Sequence, residues 1–192
     1  MIGTVEQLYT AAEYLELELN SAERHEFWDG EIRPMTGGTP DHNLILGNLL
    51  MALKLGLRGQ PYSTFVTDQR LWIPACNLYA YPDVMVVAHP LELQTGRTDT
   101  VMNPCLIAEV LSTSTKAYDR GDKFLAYRTV PTFQEYLLVD QYRIYVEHHV
   151  KTSPNQWLMS EYRSADTDLS MNSVDCRIRI ANLYEGTILG RD

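Results

Sequence analysis

Two acidic residues stand in segments that are otherwise apolar. Asp83 follows Pro82 within YPDVMVV, residues 81–87, and Glu109 lies within LIAEVL, residues 106–111. A carboxylate in a strand that reads as buried must be paired, protonated or bound to a metal, because an isolated buried charge is very costly. Two such acids on neighbouring strands could share Mg²⁺, which takes oxygen ligands and keeps several waters. The pair therefore indicates a site for a hard divalent cation.

A candidate helix after Glu109 carries further polar groups. Asp119, Lys123 and Tyr127 are four residues apart, so they share one helical face. A lysine there could position a water or stabilise charge on a phosphate in a transition state. The simpler interpretation makes Lys123 a surface partner of Asp119, an i,i+4 pair worth only about 0.2–0.5 kcal/mol, and Tyr127 a core residue.

The elements that must position these residues can be read from the hydrophobic pattern. Leucine and isoleucine at helical spacing predict a core helix over about 41–58, and a capping box at Thr10 and Glu13 predicts a shorter helix over about 11–19. Asp29-Gly30 predicts a hairpin over about 26–35. Other expected elements are strands at 62–73, 79–88, 105–111, 135–140 and 143–150, a helix ending near 129, peripheral strands at 157–163 and 174–180, and a short C-terminal helix. This order predicts one α/β or α+β domain, 1–192, with a mixed β-sheet flanked by helices and extra peripheral C-terminal strands.

Composition limits the class of protein and its compartment. The chain of 192 residues is 45% hydrophobic and 21% charged, which is typical of a globular domain. It has no apolar run of the roughly 18 residues that a bilayer span requires, so no membrane partner is expected. The N-terminus lacks the features of a secretory signal. The three cysteines are far apart in sequence, which fits a reducing cytoplasm.

The net charge of −9 argues at first against a nucleic-acid partner, because phosphate binding needs a basic surface. However, residues 1–50 carry nine acids and two bases, a net of −7, which leaves −2 for the rest. The candidate helix after Glu109 has a net of +2, from Lys116, Arg120, Lys123 and Arg128 against Asp119 and Asp122. The charge pattern therefore permits DNA as a partner and predicts weak, metal-assisted binding.

Each candidate also has a purely structural interpretation. Asp83 could cap a turn, Glu26 could be a hairpin residue near Arg24, and His42 is interpreted as a structural hydrogen bonder at a helix start. The hydroxyl-rich run 112–115 could contact a phosphate, but such caps are common. The patterns GxSxG, GxGxxG, HExxH and Walker A do not occur. A metal-free glycosidase with two carboxylates remains open, with a possible aromatic platform of Trp28, Trp72 and Trp157.

Taken in order along the chain, these residues resemble a known family. The set comprises Glu26-Phe27-Trp28-Asp29-Gly30-Glu31-Ile32, His42, Pro82-Asp83-Val84, residues 109–115 (EVLSTST), residues 119–123 (DRGDK) with Tyr127, and residues 135–140 (EYLLVD). It resembles the bacterial Uma-two family, whose members are described as restriction endonucleases of the PD-(D/E)xK superfamily. The likeness extends from about residue 6 to 185.

The resemblance implies a restriction-endonuclease-like core and a metal-dependent endonuclease that hydrolyses phosphodiester bonds of DNA. It implies that Asp83, Glu109 and the carbonyl of Val110 hold Mg²⁺ or Mn²⁺, and that Glu26 contributes an extra acid. Leu111 stands where the superfamily pattern has lysine, and Lys123 fits a lysine moved to the next helix. The alternative is a catalytically silent binding or assembly module on the same fold. A homodimer is expected from the general frequency of two-fold assemblies.

Overall fold

A six-stranded mixed sheet forms the centre of the protein in the computed structural model, which describes residues 8–35 and 37–191. Its strand order is β11-β10-β9-β8-β6-β3, with β8 and β9 parallel and the other neighbours antiparallel. Their bounds are β3 Tyr62–Val66, β6 Val84–Ala88, β8 Pro104–Leu111, β9 Glu135–Asp140, β10 Val146–Ser153 and β11 Gln156–Tyr162. Strand β8 is buried along its whole length, as its apolar sequence predicts.

A second sheet covers part of one face. It has five strands in the order β2-β1-β5-β4-β7, and only β4 and β7 are parallel. The bounds are β1 His25–Trp28, β2 Glu31–Pro34, β4 Arg70–Ile73, β5 Leu78–Ala80 and β7 Thr100–Val101. A two-stranded ribbon, β12 Asp168–Ser170 with β13 Arg177–Arg179, lies near the C-terminus. The expected mixed sheet with peripheral C-terminal strands is confirmed.

The helices complete the layers. Their bounds are α1 Ala11–Asn20, α2 Pro40–Gly56, α3 Lys116–Tyr118, α4 Phe124–Tyr127 and α5 Ile180–Leu183. A π-helical turn, Asp119–Lys123, joins α3 to α4. Helix α2 packs on one face of the six-stranded sheet against Val84, Val86, Ala108 and Val110. The opposite face, with Met85, Ile107 and Leu111, packs against the second sheet and α4. No described helix has the length and apolarity needed to cross a bilayer.

Strand register brings the two acids together. Val84 pairs with Ala108 in the antiparallel ladder of β6 and β8, so Asp83, one residue earlier, lies across from Glu109, one residue later. Side chains alternate along a strand, so Glu109 points to the same face as Ile107 and Leu111. This is the face that carries the helical segment 116–127.

Three of the predicted strands are wrong in extent. The segment 62–73 forms β3 and β4 in different sheets, because a turn at Thr67, with φ of 22°, reverses the chain. The segment 79–88 forms β5 and β6, separated at Pro82, whose missing N–H cannot continue a ladder. The predicted strand 174–180 is limited to β13, followed directly by α5. The loop expected over 89–103 contains the short β7.

A buried carboxylate ties the C-terminal ribbon to the central sheet. Glu135 accepts hydrogen bonds from the backbone N–H of Asn172 and Ser173, and pairs with His148. Burial works to raise the pKa of Glu135, but the hydrogen bonds from His148 and Ser173 outweigh it, so the pKa lies below the usual range. The charged form is therefore favoured by the fold.

Glu135→Gln is expected to lower the free energy of unfolding at pH 7 by about 1–3 kcal/mol, because buried N–H donors lose a charged acceptor. Since the folded pKa is depressed, the contribution is present above the unfolded pKa of about 4.3 and is lost as pH falls through the folded pKa. Urea unfolding from pH 7 to pH 3 measures it. The exposed Glu92→Gln serves as control, and a difference that grows with acidity would contradict this assignment.

Candidate active site

The carboxylates of Asp83 and Glu109 each accept a hydrogen bond from a backbone N–H of the other's chain segment. The N–H of Asp83 donates to Glu109 Oε2 at 3.0 Å, and the N–H of Val110 donates to Asp83 Oδ2 at 2.8 Å. These reciprocal bonds follow from the register of β6 and β8, and they fix both carboxylates at the sheet end. Asp83 Oδ1 takes part in none of the hydrogen bonds among the described residues, and the side chain lines a cavity.

Lys123 lies between three carboxylates. Its Nζ is 3.0 Å from Glu26 Oε1, 3.2 Å from Glu109 Oε1 and 3.6 Å from Asp119 Oδ1. The contact with Glu26 is an ion pair without hydrogen-bond geometry. The structure therefore brings Glu26 to Lys123 and not to Arg24, which lies near Asp68. Lys123 also pairs with Asp119, as the simpler interpretation from the sequence predicted. That interpretation does not include the contacts of Lys123 with Glu26 and Glu109.

Burial and charge set the protonation of this cluster. Burial raises the pKa of Glu109, with Asp83 and Asp119 adding to the effect and Lys123 opposing it. Burial likewise raises the pKa of Asp119. For Lys123, burial favours the neutral form, but the charges of Glu109 and Glu26 outweigh it and raise the pKa well above the ordinary value. The lysine is therefore a permanent cation near neutral pH.

The π-helical turn aims the helical residues at the sheet. Within it, Asp119 and Lys123 are buried, and one turn later Tyr127 donates its hydroxyl to Glu109 Oε1 at 2.8 Å. Pattern analysis treated Tyr127 as a core residue, and it is fully buried, but it also fixes the orientation of Glu109. Its four-residue spacing from Lys123 was the signal for this role. The turn contains Gly121, whose low helix propensity favours a local departure from α-helix.

His42 holds Asp83 from the other side. Its Nε2 lies 3.3 Å from Asp83 Oδ2, and its Nδ1 is buried without a hydrogen-bond partner. Burial works to lower the pKa of His42, but the hydrogen bond to Asp83 and its charge raise it overall. Helix α2 starts two residues upstream at Pro40, and the hydroxyl oxygen of the capping residue Thr39 accepts the N–H of His42. The sequence-based interpretation as a structural hydrogen bonder describes this geometry, and the partner is an acid of the candidate site.

The ring of His42 rests against Gly38. A β-carbon at Gly38 would lie 2.6 Å from His42 Nδ1 and 2.9 Å from Cγ, so Gly38→Ala must displace the ring. We expect this variant to lose about 1–3 kcal/mol in the free energy of unfolding and to weaken the contact with Asp83. Long-range ¹H–¹⁵N NMR of the His42 ring nitrogens measures the displacement.

Gly37→Ala provides a matched control, because a β-carbon there meets nothing within 4 Å. Its unfolding free energy and its His42 resonances should match those of the wild type. Identical His42 resonances in Gly38→Ala and Gly37→Ala would contradict the proposed contact.

The donor chemistry of the cluster fits a hard divalent cation. Four carboxylates surround one lysine and one histidine, so negative charge is in excess; they belong to Glu26, Asp83, Glu109 and Asp119. Carboxylate oxygens are the ligands that Mg²⁺ prefers, and Asp83 Oδ1 is available in the cavity. Within residues 8–35 and 37–191, no three His, Cys, Asp or Glu side chains are already arranged around a common ion position.

The cluster lines a cavity of about 440 Å³ between the N-terminal hairpin, the start of α2 and the helical segment 116–127. The other walls are the loop 37–39 and the run 112–115. Gln141, which is buried, joins two of these walls, because it contacts the Thr39 hydroxyl and donates to the Leu111 carbonyl. Sequence analysis did not select Gln141, because no motif marks this residue as part of a site and only its position directly after β9 could have suggested it.

A family profile described as "Uma2: Putative restriction endonuclease" matches residues 11–180. The chain belongs to the Uma2 family. Two relatives from Synechocystis sp. are named as uncharacterized proteins, sll1609 and slr1290. The first is 42% identical and covers 90% of this chain and 97% of its own length. The second is 34% identical and covers 91% of this chain and 90% of its own length.

A solved structure has the same fold. It is described as a putative nuclease belonging to DUF820 from Anabaena variabilis, and it matches with a TM-score of 0.73 and 16% identity. The match covers 92% of this chain and 97% of the other. The resemblance to the Uma2 family and the nuclease-like α+β fold, both expected from the sequence, are thereby confirmed. The roles of the individual site residues stay predictions.

Proposed function

We propose that this member of the Uma2 family is a metal-dependent endonuclease that hydrolyses phosphodiester bonds of DNA. One observation carries the proposal: Lys123 lies within 3.2 Å of Glu109 although Leu111 occupies the position where the superfamily has its lysine. The site thus contains two acids and a lysine in contact, supplied from a different element. The family description and the solved nuclease-like neighbour support the same activity.

Asp83, Glu109 and the Val110 carbonyl would hold Mg²⁺ or Mn²⁺. When bound there, the cation would offset charge on the scissile phosphate and ease ionisation of the attacking water. Two sets of contacts orient the carboxylates: His42 and the N–H of Val110 contact Asp83, and the hydroxyl of Tyr127 donates to Glu109. These bonds belong to the fold itself and orient both carboxylates, which limits the reorganisation needed on binding.

Lys123 would donate hydrogen bonds to the attacking water or to a phosphate oxygen. Its raised pKa keeps it charged, and Glu26 and Asp119 hold the amine from two sides. A fixed cation beside the reacting phosphate stabilises the extra charge of the transition state. Glu26 is thus a positioning acid for Lys123 in this proposal.

A catalytically silent binding or assembly module is the second candidate. Leu111 in the usual lysine position and the excess of carboxylates in the cavity favour it. Calorimetric titration with Mg²⁺ distinguishes the two candidate functions by whether the protein binds the metal. Binding that depends on Asp83 and Glu109 supports the nuclease, and its absence supports the silent module.

The activity is tested with supercoiled plasmid and single-stranded circular DNA, each incubated with Mg²⁺ or Mn²⁺ and, as a blank, with EDTA. Wild type should nick or linearise at least one substrate only with the metal, and Asp83→Ala and Glu109→Ala should not. Equal cleavage by all three proteins would overturn the assignment. The homodimer and the cytoplasmic location expected from the sequence remain predictions, and sedimentation velocity measures the first.

A further inference from the structure

The cavity has the size of a site for one small ligand. Its volume of about 440 Å³ lies near the lower end of the range of about 300–1,000 Å³ that is usual for such sites. Hydrogen bonds connect its walls, because Thr39 contacts Gln141 and Thr113 donates to the hydroxyl of Tyr142 at 3.2 Å. A single nucleotide fits a cavity of this size.

Most of the positive charge around the cavity is paired with carboxylates, and among the described residues only Lys116 and Arg128, on and just after the helical wall, are exposed there without an ion pair. The ionisable groups of the lining include four carboxylates against Arg33 and Lys123, apart from His42. Arg33 is paired with Glu31 at 2.6 Å, and Lys123 with Glu26 and Glu109. The arginines on adjoining elements are also paired, Arg120 with Glu147 and Arg143 with Asp140. Because duplex binding depends mainly on many lysine and arginine contacts to phosphates, two free cations give little duplex affinity, and a further source of affinity is needed.

Tyr142 provides a source of affinity for DNA that does not depend on positive charge. It is 57% exposed at the cavity mouth, and it is the only aromatic residue among the large apolar side chains that are exposed in the described part of the chain. Its N–H donates to Asp140 Oδ1 at 2.9 Å and its hydroxyl accepts from Thr113, so both ends of the residue are held. An aromatic face held rigidly at a cavity mouth is a platform for an unpaired base.

Two other tyrosines line the cavity: Tyr81 is buried, and the ring of Tyr118 already contacts protein groups. Arg33 lies 5.3 Å and Lys123 lies 5.6 Å from the ring centre of Tyr118, and Trp28 packs at 5.8 Å. Its ring therefore contacts protein groups, which leaves Tyr142 as the aromatic residue free for a ligand.

We infer that the site takes single-stranded DNA, one unpaired nucleotide at a time, with the base stacked on Tyr142. This inference rests on the proposed nuclease function, because it names the substrate of the same site. Stacking supplies the affinity that the paired arginines do not. The phosphate next to the stacked nucleotide then reaches Asp83, Glu109 and Lys123.

Fluorescence anisotropy with a labelled oligonucleotide, single-stranded or annealed to its complement, tests the inference. Ca²⁺ replaces Mg²⁺ in this assay so that the strand is bound but not cut. Wild type should bind the single strand at least about tenfold more tightly than the duplex. Tyr142→Ala should raise the Kd for the single strand by about fivefold or more, and Tyr142→Phe, which keeps the ring, should stay within about threefold.

Leu125→Ala is the matched control, because Leu125 is 54% exposed on α4 and does not line the cavity. Duplex binding as tight as single-strand binding, or equal Kd values for Tyr142→Ala and Leu125→Ala, would overturn the inference. Failure of the nuclease proposal looks different: no DNA is cut with any metal, while binding of the single strand still depends on Tyr142. That result would support the binding inference and remove the catalytic role.

Discussion

Lys123→Met is expected to lower the rate of DNA cleavage by about 10²–10³-fold, the usual loss when one fixed group that stabilises transition-state charge is removed. The substitution keeps the length of the side chain and removes the cation that contacts Glu26, Glu109 and Asp119. Single-turnover cleavage under saturating Mn²⁺ measures the effect. Lys54→Met, at an exposed position near the C-terminal end of α2 and outside the cavity lining, is the control and should cleave at the wild-type rate.

A double variant that moves the lysine from position 123 to position 111 tests whether the amine itself causes the effect. Leu111 points to the same face of β8 as Glu109, so Lys123→Met combined with Leu111→Lys returns the amine to the superfamily position. Partial recovery of cleavage by the double variant supports the role of the amine. Wild-type activity of Lys123→Met alone would contradict it. Circular dichroism and thermal melting of each variant establish that the comparison is between folded proteins.

Glu109→Gln is expected to weaken metal binding strongly while leaving the metal-free protein folded. Burial raises the pKa of Glu109, so the ionised form is costly in the fold, and an amide of the same shape avoids that cost. The carbonyl of Gln can still accept the hydroxyl of Tyr127. The loss of a ligand should weaken Mn²⁺ binding by at least about tenfold to hundredfold, as even outer-shell partners do.

Two measurements on the same samples test this. Calorimetric titration gives the Kd for Mn²⁺, and thermal melting in EDTA gives the stability of the metal-free protein. Glu161→Gln, on the exposed side of β11, is the control for both. A fall in melting temperature together with an unchanged Kd would identify Glu109 as a structural residue.

The sequence predicted the composition of the candidate site better than its geometry. Asp83, Glu109 and Lys123 were selected from residue type and context, and Glu26 from the resemblance to the family; the structure brings all four into one cluster. Their convergence depends on the register of β6 and β8, which no local pattern specifies. Because register is set by long-range pairing, sequence alone could place the acids on neighbouring strands but not opposite each other.

Other features could not be predicted because they depend on tertiary contacts. The support of Asp83 by His42 requires α2 to pass over the end of β6, and the buried bond of Gln141 requires the loop at Thr39 to approach β8. The split of segment 62–73 followed from one residue with positive φ, Thr67, which is an uncommon residue for that conformation. By contrast, the length of α2 and the burial of β8 followed directly from apolar spacing.

The most direct test of the central claim measures the rate of phosphodiester cleavage as a function of Mn²⁺ concentration, for wild type and Asp83→Asn side by side. The account predicts that the wild-type rate saturates, with a midpoint equal to the Kd found by calorimetry, and that the rate of Asp83→Asn stays near zero throughout. A wild-type rate that does not respond to Mn²⁺, or equal rates for the two proteins, would contradict it.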